Sequence, residues 1–194
     1  MQEDPFQIGY PPGIAFQHVY DTRVMSDTLP ADGVVSYRIN QLGFRGREWA
    51  LEKPAGMHRV LCVGDSFTFG EGVAENETLA AQLALQDFGP AMEWINCGVQ
   101  GRNLRMVVQF ITSQCAHYAP DAIWYFWTPN DFLPYPMTVE AHYARMDEMH
   151  KAPGWSRVLR VLNRAAELKR MKLEGILQFM TACRGKMPQA FVLI

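Results

Sequence analysis

Arg59-Val60-Leu61-Cys62-Val63-Gly64-Asp65-Ser66 is the stretch that decides the fold. A short apolar run closes on a glycine, and an acid and a hydroxyl follow at once. Such a run is too short for an amphipathic helix and reads as a buried strand. Working outward, Glu77–Phe88 is rich in Ala and Leu and predicts a helix stopped by Gly89-Pro90. Met92–Cys97 predicts a second strand, halted by Gly98. Asn103 is a good N-cap for a helix running to about Tyr118, where Ala119-Pro120 ends it. Ala122–Trp127 is apolar on both faces, as a central parallel strand should be. Trp155–Cys183 predicts a long helical stretch with a break near Gly175, and Ala190–Ile194 a fourth strand. This alternation predicts an α/β fold with a parallel sheet and helices on both faces.

Upstream of this body, residues 1–58 are punctuated by Pro5, Pro11, Pro12, Gly13, Pro30, Gly33, Gly43, Gly46, Pro54 and Gly56. That density forbids long helices and predicts an irregular N-terminal arm with one short strand at Val34–Ile39. Tyr10, Phe16, Tyr20, Tyr37, Phe44 and Trp49 give the arm apolar surface to pack on a body spanning 59–194.

The whole chain has 194 residues, 48% of them hydrophobic and 20% charged, which suits one globular domain. A net charge of −2 gives no global argument for nucleic acid. The longest apolar run, Ala122–Trp127, falls far below the roughly 20 residues of a membrane span. The start, MQEDPFQIGY, has neither the basic residues nor the apolar stretch of a leader. The visible sequence therefore reads as cytoplasmic, or as cell-envelope if an anchor precedes it. Cys62, Cys97, Cys115 and Cys183 show no metal-ligand spacing and read as small buried hydrophobes. No metal and no organic cofactor is implied.

Three strand ends carry the residues of chemical interest. Gly64-Asp65-Ser66 follows the first, Gly98-Val99-Gln100-Gly101 the second, and Thr128-Pro129-Asn130-Asp131 the third. In a parallel sheet all three lie on one edge, so a hydroxyl, a glycine-rich turn and an amide converge despite their separation in sequence. That set suits a nucleophile facing hydrogen-bond donors. Gly64–Gly72 does not fit G-x-G-x-x-G, no lysine completes a phosphate loop, and Thr68 removes the G-x-S-x-G elbow. Read without function, Ser66 is an N-cap and Asn130 the start of an Asx turn.

These three ordered blocks resemble the SGNH (GDSL-type) hydrolase family, and Asn40-Gln41-Leu42-Gly43-Phe44-Arg45-Gly46 resembles the lead-in of its bacterial members. The likeness covers about residues 38–131. It implies a flavodoxin-like three-layer α/β/α sandwich and hydrolysis of a small-molecule carboxylic ester through an acyl-serine. Carried over, Ser66 is the nucleophile. Its own N–H, the Gly101 N–H and the Asn130 amide form the oxyanion hole, and Asp65 supports the Ser66 turn. Thr128 stands where the family's third block has glycine.

The family's D-x-x-H block, which supplies the general base, follows the last strand. This chain stops inside that strand, so the resemblance implies a C-terminally incomplete fold with its base downstream of Ile194. The one D-x-x-H string, Asp147-Glu148-Met149-His150, offers His150 as the alternative base, although it precedes the long helix and sits at the wrong place in the topology. Two alternatives share the scaffold: a non-catalytic binding module and an O-acyltransferase.

Residues 151–186 hold nine Lys/Arg against Glu167 and Glu174, with an apolar stripe at 3–4 spacing. Such a helix, over 155–183, packs on the sheet with solvated cations, lies on an anionic membrane surface, or covers an acyl pocket.

Overall fold

The computed structural model describes residues 9–22, 29–128, 131, 181 and 189–193. Their centre is a parallel sheet of four strands: β3 (His58–Gly64), β4 (Met92–Gly98), β5 (Ala122–Phe126) and β6 (Gln189–Leu193), in spatial order β4-β3-β5-β6. Registers run Val60↔Trp94 and Val60↔Ala122 on either side of β3, and Ala122↔Gln189 at the far strand. The chain leaves β3 for β4 on one side and returns to β5 on the other. In open α/β sheets, ligand crevices form where the strand order reverses in this way, at the strands' carboxyl ends.

Alternation along the strands sends successive side chains to opposite faces, and each face has its own helix. Leu61, Val63, Ile95, Cys97, Ile123 and Tyr125 pack with α3 (Leu104–Ser113) through Leu104, Val107, Phe110 and Ile111. Val60, Cys62, Trp94 and Ala122 pack with α2 (Leu79–Leu83) through Ala80 and Leu83. Mixed α/β content with helices on both faces is thus as expected. Trp124 and Phe126 belong to the second core, where Trp124 meets Trp94 edge-on at 4.8 Å. Cys62, Cys97 and Cys115 are buried and form no disulfide among the described residues, and burial pushes the Cys62 thiol up to about 12. Cys183 lies outside the described residues.

Three expectations need correction. The helix expected over Glu77–Phe88 is α2 alone, five residues long. It starts late because Thr78 is its N-cap and Glu75–Glu77 forms a separate 3-10 turn. It ends early as the chain leaves Leu83 and brings Phe88 against Trp94 at 5.0 Å. The helix from Asn103 stops at Ser113, five residues before the expected Tyr118. There Ser113 and Thr112 hydroxyls both donate to the Gln109 carbonyl, a back-bonding that disfavours continuation, and a 3-10 turn over Cys115–Tyr118 follows. The arm, expected to hold one strand, forms an antiparallel hairpin of β1 (Ala15–Val19) and β2 (Val34–Arg38). Its inner side, with Val35, Tyr37 and Phe16, packs on Phe69 of α1 (Ser66–Phe69), the single helical turn after β3.

Candidate functional site

Ser66 opens α1 and is half-buried. The N-cap is Asp65, not Ser66: the Asp65 carboxylate accepts the Phe67 N–H at 3.0 Å. Ser66 is therefore not consumed by capping. Neither its hydroxyl and N–H nor the Gly101 N–H makes a hydrogen bond among the described residues.

Two glycines let α1 sit where it does. A Cβ on Gly98 would run into the Phe69 nitrogen and lie 2.5 Å from the Thr68 carbonyl carbon. One on Gly64 would strike the Thr68 hydroxyl and approach the Phe126 carbonyl oxygen to 2.9 Å. The first two blocks thus need glycine because α1 rests directly on the ends of β3 and β4, which are adjacent strands.

Gly101 follows β4 at φ +71°, a conformation that glycine adopts without strain. Behind it Arg102, 1% exposed, donates to the Cys97 carbonyl at 2.6 Å with its guanidinium over the Phe110 ring. Burial pulls the Arg102 guanidinium down to about 10. Asn103 caps α3 by accepting the Met106 N–H, as its sequence context predicts.

The third turn is tied to the first by Thr128, whose hydroxyl donates to the other Asp65 oxygen at 2.7 Å. Asp65 therefore spans the gap between β3 and β5, one oxygen on each side. The residue that departs from the family pattern makes this bond, which glycine could not. Asp131, 2% exposed, accepts from the Tyr125 hydroxyl at 2.6 Å and the Thr128 N–H at 3.0 Å through one oxygen. Its second oxygen is buried with no partner among the described residues. Burial, aided by the Asp65 charge, pushes the Asp131 carboxyl up to about 6 despite those bonds, and burial likewise pushes the Tyr125 phenol up.

Ser66 and Gly101 therefore lie on one sheet edge, at the ends of neighbouring strands. Asn130, third of the expected oxyanion donors, lies outside the described residues. So do Asp147 to His150 and, apart from the exposed helical Thr181, the basic stretch 155–183. His18, His58 and His117 are exposed. Sequence reasoning missed Arg45, Arg102 and Tyr10, all of which hold the turns of this edge. A buried arginine binding carbonyls leaves no periodic trace. Among the described residues, no group of three or more His, Cys, Asp or Glu is placed to hold a metal ion. No described helix is long and apolar enough to cross a membrane.

A cavity of about 540 Å³ opens elsewhere, between Arg38, Arg47 and Trp49 of the arm and Ala81 and Trp94 of the body; neither Ser66 nor Gly101 lines it. No protein-family model and no curated protein matches this chain.

Proposed function

We propose that the protein is a serine ester hydrolase of the SGNH type, on a flavodoxin-like sandwich, acting on a small carboxylic ester such as an O-acetyl or lipid ester. The observation that carries this reading is the placement of Ser66 and Gly101 at the ends of adjacent strands, with hydroxyl and N–H groups uncommitted among the described residues. Both residues are half-buried, so these donors at a sheet edge are open to a ligand oxygen.

In the reaction, the Ser66 Oγ attacks the ester carbonyl carbon as a base removes its proton. The carbonyl oxygen becomes an oxyanion held by the Ser66 and Gly101 N–H groups and the Asn130 amide. Collapse expels the alcohol, which takes the proton back, and water then cleaves the acyl-serine by the same steps in reverse. Losing one such preorganised donor costs about 2.7–4 kcal/mol in other hydrolases. The resemblance assigns the base to a D-x-x-H histidine.

The test is hydrolysis of p-nitrophenyl acetate by the protein, expressed with whatever residues its gene encodes on either side of 1–194. The expected result is saturable turnover that falls to the buffer background in Ser66→Ala. Turnover that survives Ser66→Ala, or none in the wild type, would overturn the reading.

A further inference from the structure

We infer that the N-terminal arm is a working part of this site, with Tyr10 and Arg45 as positioning residues for the two backbone donors; the inference rests on the functional reading above. Ser66 begins a helix of only four residues. One turn fixes several dihedrals for little hydrogen bonding, so it does not hold its own shape. Asp65 holds its front, and Arg45 holds its back.

The Arg45 guanidinium, 2% exposed, donates through Nη1 to the carbonyls of Phe69 (3.0 Å) and Gly70, and through Nη2 to that of Val73 (2.7 Å). It lies 4.6 Å from the Tyr37 ring and 5.2 Å from the Phe69 ring. The Tyr37 hydroxyl accepts the Gly72 N–H at 2.9 Å, so the same arm grips the turn again.

Tyr10 serves the second donor. Its hydroxyl accepts the Gln100 N–H at 3.2 Å and donates to the Gln100 side-chain oxygen at 3.0 Å, fixing the peptide next to Gly101. Its ring lies 5.2 Å from Phe69, so one side chain of the arm touches both turns. The arm is itself braced. Asn40, fully buried, accepts the N–H groups of Leu42 and Phe44 and donates to the Arg47 carbonyl, while the Tyr10 N–H donates to Gly43.

An appendage that only covered apolar surface would not place the buried Arg45 and Tyr37 on one turn and the half-buried Tyr10 hydroxyl on the other. An oxyanion hole needs its donors fixed to a fraction of an ångström, and a 1 Å misplacement costs about a hundredfold in rate.

The test compares wild type, Tyr10→Phe and Arg45→Met in p-nitrophenyl ester hydrolysis, with thermal melting followed in parallel. Tyr10→Phe keeps the ring and its packing, so it remains informative if Arg45→Met does not fold. The expected result for Tyr10→Phe is a fall in kcat of at least tenfold with KM within twofold, in protein that melts as cooperatively as wild type. Wild-type turnover that depends on Ser66, with the Tyr10→Phe kcat reduced less than tenfold or KM carrying the change, would overturn this inference alone. Absence of Ser66-dependent turnover in the wild type would overturn the functional reading and this inference together.

Discussion

The two edges of the sheet handle polar groups in opposite ways. At the amino edge, Arg59 is fully buried, and every nitrogen of its guanidinium has an acceptor. Nε meets Glu93 at 2.7 Å, Nη1 the carbonyls of Leu51 and Tyr118, and Nη2 that of Ala50. Beside it Asp121 takes Lys53 at 2.6 Å and the Arg59 N–H at 2.8 Å. At the carboxyl edge, Asp131 keeps a buried oxygen that no described residue pairs, and Ser66 and Gly101 offer groups that no described residue uses. The closed edge ties the arm, the 3-10 turn after α3 and two strands together. The open edge forgoes some of that stabilisation, as the proposed reaction would require of it.

The largest effect should come from breaking the closed edge. Arg59→Ala leaves Glu93 buried without its partner and three carbonyls without a donor, so it should cost about 3–5 kcal/mol. Chemical denaturation should show the loss as a lower midpoint. A variant within 1 kcal/mol of wild type would remove the contrast between the edges.

The open edge should respond in the opposite sense. Asp131 binds its proton more tightly folded than unfolded, because burial raises its pKa to about 6 from 3.8. The folded state therefore holds more protons between these values, and stability falls as pH rises through that window, by about 3 kcal/mol in total. Asp131→Asn keeps an oxygen for Tyr125 and Thr128 but carries no charge. Its stability should lack this decline, leaving the variant more stable than wild type at pH 7 and little changed at pH 4. Parallel stability curves for the two proteins across that range would contradict the account.

The smallest effect belongs to Lys53→Ala. Its ion pair with Asp121 is short, yet both side chains keep a quarter or more of their exposure, so solvent screens it. The expected loss is under about 1 kcal/mol and shrinks in salt. Thermal melts at low and high ionic strength check it.

What the sequence revealed and what it hid follow the same division. β3, β4 and β5 were legible because both faces are covered and their residues are mostly apolar, with Glu93 and Asn96 the exceptions inside β4. Asn103 was legible as a local cap. β1 was not, since Phe16 alone of its five side chains is even half-buried and the rest show no alternation. α2 is shorter than its composition suggests because Leu85 is 74% exposed and Phe88 is drawn toward Trp94 instead. At the site, Ser66 and Gly101 could be picked out because sharp turns demand particular residues. Arg45 and Tyr10 could not, because they act across the fold on backbone atoms far away in sequence, and Arg102 could not, because its bond to the Cys97 carbonyl follows no periodic pattern. Thr128 looked like a small departure from a pattern, and its hydroxyl turns out to bind Asp65.

The central claim is that the open edge exists for the Ser66 hydroxyl. Treating the protein with a fluorophosphonate probe and mapping the adduct by peptide mass tests it most directly. The account predicts one adduct, on Ser66, and none in a Ser66→Ala variant that melts within about 0.5 kcal/mol of wild type. An adduct on another residue, or no adduct on the wild-type protein, would contradict it.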